Sequence, residues 1–256
     1  MSFPHTIFII PYRDRPKEKE KLDIFFKKLR KDRNWNNDEV KFFYIHQLDK
    51  RPFNRGAMKN IGFLYIKTTY PNNYKNITLI FHDVDFYPSS TSLLPYTAES
   101  GIIQHYYGFE IVLGGIFSIK GGDFEKIGGF PNFWGWGLED NVIYKRALNN
   151  NIRIDRSNFY NIYDDNFMYC DKGDKNQKRK MCSGAEYDIY MKNIESAGTF
   201  NSLKKIHVKP DGAFINVVTF DTERMYSDDE WNIQHITDGK LRRKKGFFSG
   251  RTWKIF

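Results

Sequence analysis

The chain has 256 residues, enough to bury one large α/β core. Aromatic residues make up 17% of it and cysteine occurs twice, which excludes both a disordered chain and a disulfide framework. A net charge of +9 favours an anionic partner: a nucleotide phosphate, a nucleic acid or an acidic surface.

The first apolar run is too short to span a bilayer and lacks a basic region before it, and no later run reaches the length needed to cross one. No membrane span is expected, and the chain is read as soluble and cytoplasmic, or as a soluble domain whose anchor was removed. Cys170 and Cys182 are read either as one bridge or as two separate thiols. No internal repeat or linker composition divides the chain, so residues 1–256 are expected to form one domain with a basic, aromatic tail from about residue 240.

Thr6 to Ile10, ended by Pro11, reads as a first buried strand. Pro16 opens a helix with Leu22, Phe25, Phe26 and Leu29 on one apolar face. Val40 to Ile45 is a second strand, and Arg55 to Lys67 a helix with Met58, Ile61, Leu64 and Tyr65 inward. Ile77 to Phe81 is a third strand, ending at His82-Asp83-Val84-Asp85. This alternation predicts a parallel sheet with covering helices, whose ligands sit beyond the carboxyl ends of the strands. Ile116 to Ile119 follows as a strand, and Asp123 caps a short helix. Glu139 to Leu148 is helical and Ile152 to Ile154 a brief strand. A lysine-rich loop covers residues 171–180, a helix Glu186 to Ser196, and one or two strands Ile206 to Phe220.

Three constellations carry chemistry. In Gly129-Phe130-Pro131-Asn132-Phe133-Trp134-Gly135-Trp136-Gly137-Leu138-Glu139-Asp140-Asn141, tryptophans alternate with glycines and a carboxylate pair opens a helix. Such a loop suits a sugar site with a general base, because indole faces stack on rings and a helix N-terminus favours negative charge. The alternative is a turn whose tryptophans fill the core and whose acids cap the helix. Asp83 and Asp85, two apart at a strand end, suit a hard cation such as Mg²⁺ or Mn²⁺. His82 beside them reads as structural. Arg13, Arg15 and Arg55 each follow a strand and converge on the same rim, where guanidinium groups bind diphosphate.

With these pieces in place, Ile9-Ile10-Pro11-Tyr12-Arg13-Asp14-Arg15, Phe53-Asn54-Arg55, Phe81-His82-Asp83-Val84-Asp85, Gly114-Gly115 and Trp134-Gly135-Trp136-Gly137-Leu138-Glu139-Asp140 stand in a familiar order. The chain resembles the β-1,4-galactosyltransferases, the inverting glycosyltransferase family 7, and within it the xylosylprotein 4-β-galactosyltransferase branch. The blocks cover the first two thirds of the chain, and the Trp/Gly block with its upstream Asp83-Val84-Asp85 is specific. Weaker similarity continues through residues 171–180 and from Asn201 to Val208.

The resemblance implies a GT-A (Rossmann-like) α/β fold: a mixed, mainly parallel sheet with helices on both faces. It also implies a UDP-Gal or UDP-GalNAc donor, a glycan or glycoconjugate acceptor and Mn²⁺, with no nucleic acid. Asp85 would bind the metal, and Met168 and Cys170 stand where the family completes it with Met-x-x-His or His-x-His. Sulfur is softer than Mn²⁺ prefers, so these two are read equally as core residues, with His207 a spare ligand. Asp83 would lie near the nucleotide sugar, and Arg13, Arg15, Phe53 and Arg55 would hold the uridine diphosphate. Gly115 and Trp136 would line the sugar and acceptor, with Trp134 on the acceptor side. Asp140 would be the general base and Glu139 would contact the donor sugar. Val112 replaces the tyrosine of galactose-specific members, and Asn141 a third acid. Two rival readings remain: a basic nucleic-acid-binding module, and a degenerate transferase fold that binds glycans without turnover.

Overall fold

All seven residues of strand β1 (Thr6–Tyr12) are buried, and they divide between two cores. Ile7 and Ile9 join one, whereas Phe8, Ile10 and Tyr12 join the other. Side chains alternate along a strand, so one covered on both faces is apolar throughout. The computed structural model describes residues 3–170, 178–180, 182, 184–223, 233–237 and 240–241. After β1 come α1 (Pro16–Asp32), β2 (Val40–Gln47), α2 (Arg55–Thr69) and β3 (Thr78–His82). Leu22, Phe25, Phe26 and Leu29 of α1 pack with Phe8 and Ile10, and Ala57, Met58 and Ile61 of α2 cover the opposite face. Each buried Leu or Phe side chain contributes about 1.5–3 kcal/mol. That stripe holds α1 although its N-cap, Arg15, makes no side-chain capping hydrogen bond.

The chain continues through β4 (Phe86–Pro88), β5 (Ile102–Gly108), β6 (Ile116–Lys120), α3 (Gly121–Lys126), α4 (Glu139–Asn149), β7 (Arg153–Asp155), β8 (Tyr160–Asn161) and β9 (Phe167–Tyr169). Then come β10 (Lys178–Lys180), α5 (Gly184–Lys192), β11 (Lys204–Asp211), β12 (Phe214–Asp221), β13 (Ile233–Thr237) and β14 (Lys240–Leu241). The main sheet has the order β11-β12-β2-β1-β3-β6-β5-β7, with β8 beside β5. Strands β12, β2, β1 and β3 run parallel, and β6 is antiparallel to both β3 and β5. The sheet is thus mixed and mostly parallel, with helices on both faces.

Some boundaries differ from expectation. Pro11 does not end β1: it pairs in register with Ile45, and the strand runs on to Tyr12. A proline's fixed φ suits an extended chain, and only one donor is lost near the strand end. Strand β5 was not anticipated, because Gln104 and His105 interrupt its apolar run. Both are satisfied: Gln104 Nε2 donates to Asp155 Oδ2 at 3.1 Å, and His105 Nε2 lies 3.0 Å from the Gly114 carbonyl. Cys170 and Cys182 are buried thiols not joined to each other. Of the lysine-rich loop, residues 171–177 lie outside the described residues, as does the basic tail beyond Leu241. Among the described residues, no helix is long and apolar enough to cross a membrane.

Candidate active site

A cleft of about 1210 Å³ opens beyond the carboxyl ends of β1 and β3, where a parallel sheet places its ligands. Arg13 and Arg15 reach it from the end of β1, and Phe53 and Arg55 from the start of α2. Asp83 and Asp85 line it after β3, Val112 and Gly115 between β5 and β6, and Trp136 and Asp140 from the Trp/Gly loop and α4. One cleft therefore gathers residues from five separated stretches of sequence.

The loop is held by buried amides. Asn54 caps α2, accepting from the Ala57 N–H at 2.9 Å, and its Nδ2 donates to the Asn132 carbonyl at 3.0 Å. Asn60 Nδ2 donates to the Phe130 carbonyl at 2.8 Å and to Asn132 Oδ1 at 2.9 Å. All three asparagines are fully buried, so an unmade bond would cost about 1–3 kcal/mol. Asn60 and Asn132 drew no attention in the sequence, where the only signal was a polar residue amid inward-facing neighbours. Gly135 and Gly137 have φ of 100° and 102°, which a Cβ disfavours, and Leu138 adopts a left-handed φ of 70° just before α4. The Leu113 N–H donates to the Asp140 carbonyl at 3.1 Å, tying the β5–β6 turn to the head of α4. A Cβ at Gly114 would overlap the Asp140 carboxylate, so only glycine lets that side chain lie against the turn.

Asp140 belongs to a cluster of two cations and three carboxylates. Arg55 donates to Asp83, donates to Glu139 Oε1 at 2.8 Å, and lies 3.9 Å from Asp140 Oδ2. Lys59 Nζ is 3.7 Å from Asp140 Oδ1 and 3.9 Å from Asp83 Oδ1. Burial pushes Asp140 up to about 6, against the pull of Lys59 and Arg55. Burial opposes charge on Arg55, but Asp83, Asp140 and Glu139 outweigh it and hold the guanidinium well above its ordinary value. Burial would raise Asp83 too, yet Arg55 and Lys59 bring it below the usual carboxylate range. Arg55 is thus committed to its own carboxylates as well as lining the cleft. Glu139 sits behind Arg55 with its side chain 5% exposed, and it does not wall the cleft. Lys59 was missed in the sequence. The available signal was its spacing, since it lies four residues after Arg55 and so on the same helix face.

On the opposite side, the Arg13 guanidinium lies 5.4 Å from the centre of the Phe53 ring and donates to the Arg51 carbonyl, and burial lowers its pKa. Arg15 pairs with Glu18 at 3.2 Å.

Besides Glu139, three predicted site residues are not in the cleft wall. Trp134 is 1% exposed, stacks on Phe220 and donates from Nε1 to Thr222 Oγ1 at 2.8 Å. It is a core residue, not an acceptor platform. Of the two tryptophans only Trp136 faces the cleft: residues two apart share a face in an extended chain, and Gly135 between them, at φ 100°, turns the backbone so that these two do not. Met168 is half-exposed on β9, which pairs with β4. The Cys170 N–H donates to the Asp85 carbonyl at 2.8 Å, but its Sγ turns to the Glu18 carbonyl at 3.8 Å, under α1. His207 is exposed on β11, the outer strand of the sheet. His82 is fully buried, its Nδ1 2.7 Å from the Asp83 carbonyl, and burial lowers its pKa to about 4. It is a neutral, structural histidine. Among the described residues, no three His, Cys, Asp or Glu side chains gather closely enough to hold a metal ion. Asp85 fits a hard divalent cation by chemistry and position, and the Met168 and Cys170 sulfurs do not.

The fold is shared with solved structures. The catalytic domain of a Drosophila β1,4-galactosyltransferase 7 in complex with xylobiose superposes with a TM-score of 0.63 at 21% identity, covering 83% of this chain and 93% of that one. A mutant of that enzyme in complex with manganese, UDP-Gal and xylobiose gives a TM-score of 0.60 at 20% identity. The architecture is therefore that of a GT-A glycosyltransferase. Residues 2–97 match the N-terminal region of glycosyl transferase group 7, and residues 98–169 match a galactosyltransferase domain described as its N-terminal domain. Together these adjoining matches span two thirds of the chain, which belongs to glycosyltransferase family 7. Similar curated proteins are a Caenorhabditis elegans xylosylprotein 4-beta-galactosyltransferase, 28% identical over 60% of this chain and 54% of the relative, and human beta-1,4-galactosyltransferase 6, 33% identical over 54% of this chain and 37% of the relative. The chain thus spans about half or less of the length of the curated relatives it matches. None of them supports the cytoplasmic location expected from the sequence.

Proposed function

We propose that this chain is an inverting glycosyltransferase that moves galactose or N-acetylgalactosamine from a UDP-sugar to a sugar hydroxyl. The observation that carries the reading is Asp140: a carboxylate at the head of α4, with a fifth of its side chain open, in the same cleft as Arg13, Phe53 and Asp85. Arg13 and Phe53 form the uridine diphosphate wall, with Arg15 at its rim. Trp136 is the sugar-stacking face, and Gly115 lets the donor approach the backbone. Asp140 takes the proton of the acceptor hydroxyl as its oxygen attacks the anomeric carbon. The bond to the diphosphate breaks on the far side, and the configuration inverts. Glu139 supports this base indirectly, by anchoring Arg55. A divalent cation would be held by Asp85 and would neutralise charge on the leaving diphosphate. The solved relative with manganese, UDP-Gal and xylobiose supports that donor and metal, and a xylose-containing acceptor is the first to try. Val112 lines the cleft with a smaller side chain than tyrosine, which is the reason to expect both UDP-Gal and UDP-GalNAc as donors.

The position of Met168 and Cys170 outside the cleft favours a second reading, a glycan-binding protein without turnover. One experiment separates the two: UDP release from UDP-Gal and UDP-GalNAc with xylosides and other sugars, with and without Mn²⁺. Release that depends on acceptor supports the transferase. Nucleotide binding with no release under any condition leaves the binding protein.

A further inference from the structure

The transfer scheme leaves Lys59 without a role, although its amine sits inside the site. The side chain is 1% exposed, and Nζ lies 4.3 Å from the centre of the Phe130 ring with no hydrogen-bond partner. Asp83 Oδ1 and Asp140 Oδ1, the carboxylate oxygens within 4 Å of that amine, are buried and without hydrogen-bond partners as well. A buried ammonium is costly unless it is paired, and Met58 and Ile61 beside it show that the helix accepts apolar side chains here. Packing alone therefore gives no reason for a lysine at this position.

We propose that Lys59 is a charged positioning residue whose ammonium bridges Asp83 and Asp140 and holds the Asp140 carboxylate at the cleft. Charge counting supports the bridge. Arg55 and Lys59 face Asp83, Glu139 and Asp140, which leaves one negative charge in excess. Without Lys59, Arg55 alone would face all three carboxylates. Asp140 would then gain its proton more readily and lose the contact on its Oδ1 side. Burial and the neighbouring Arg55 lower the Lys59 pKa, while Asp140, Asp83 and Glu139 act to keep the amine charged. Lys59 touches neither donor nor acceptor in this arrangement and acts through Asp140. The inference rests on the reading of Asp140 as the base, but the bridge itself can be tested without turnover.

The test is a double-mutant cycle of Lys59→Met and Asp140→Asn followed by thermal unfolding, with transfer from UDP-Gal to xylobiose measured against pH. A bridge makes Lys59→Met more damaging to Tm beside Asp140 than in the Asp140→Asn background, by about 3–5 °C. It also moves the acid limb of the transfer profile up by about one pH unit in Lys59→Met. Equal Tm changes in the two backgrounds would overturn the bridge, as would an acid limb that stays in place. If Lys59→Met does not fold but the double variant does, the coupling is demonstrated. If neither folds, Lys59 is a packing residue and the inference fails. If wild type transfers no sugar from any donor, the transferase reading fails, while the Tm cycle still judges the bridge.

Discussion

Asp140 and Asp85 face the same cleft from differently built surroundings. Asp140 is enclosed by Arg55, Lys59, Asp83 and Glu139, and the buried asparagines of α2 and the Trp/Gly loop fix the backbone that carries it. Asp85 instead precedes a short two-stranded ribbon, β4 with β9, whose nearest candidate ligands turn away from the cleft. The first wall is organised before any ligand arrives. The second presents Asp85 as a carboxylate suited to a metal, and among the described residues no cluster of three such ligands stands around it. Fixed charges aimed at the reacting atoms are usually the largest single source of rate enhancement, so substitutions at the two walls should have different signatures.

The largest expected effect is at the organised wall. Asp140→Asn should lower the rate of transfer by about 100- to 10,000-fold while UDP-sugar affinity is retained, because an amide keeps the shape but cannot take the proton. Single-turnover transfer and isothermal titration with UDP-Gal check the two halves. A near wild-type rate would remove Asp140 as base. In wild type, transfer should fall as pH drops through about 6, the value to which burial pushes Asp140. Stability should run the other way. An aspartate whose folded pKa is raised above its unfolded value of about 4 gains stability as pH falls from 6 to 4. Asp140→Asn should therefore melt above wild type at pH 7.5, with the gap closing across that window.

Asp85→Ala should abolish Mn²⁺-dependent UDP binding, whereas Met168→Ala and Cys170→Ala should leave the Mn²⁺ titration of UDP binding unmoved. A raised Mn²⁺ requirement in either sulfur variant would mean that β9 reorients on binding and that the contrast between the walls is a property of the ligand-free state.

The two tryptophans sharpen the comparison within one loop. Trp134→Ala should cost about 3–5 kcal/mol of stability, as removal of a core aromatic does. Trp136→Ala should cost roughly 1 kcal/mol or less and instead raise the KM for a sugar substrate about tenfold. Chemical denaturation and initial-rate kinetics read the two effects, and a reversed pattern would invert the assignment of their faces.

The smallest effect concerns the donor. Val112→Tyr should shift preference toward UDP-Gal over UDP-GalNAc, by no more than the roughly 10–200-fold that one apolar contact supplies. Competition between the two donors measures it, and an unchanged ratio would place the determinant elsewhere.

By itself the sequence determined the parallel half of the sheet, because β1, β2 and β3 are apolar runs of strand length and α1 and α2 carry apolar stripes at helical spacing, whereas β5 was hidden by its polar residues. It also determined which stretches meet at the rim, since strand ends in a parallel sheet share one edge. Arg13, Phe53, Asp83 and Asp85 were legible at that rim for this reason, whereas Trp136 and Asp140 stood out through the alternation of tryptophan with glycine and the carboxylate pair at a helix start. Only the tertiary structure decided what lies behind them. Which of Trp134 and Trp136 faces the cleft depends on the packing of Phe220 and Thr222, some 86 residues away in the chain. Whether Met168 and Cys170 reach the metal wall depends on how β9 pairs with β4. Lys59 and Asn60 read as ordinary polar positions of a helix until Asp140 and Asn132 are folded against them. A side chain's partner is set by the three-dimensional path of distant backbone, and no local periodicity encodes it.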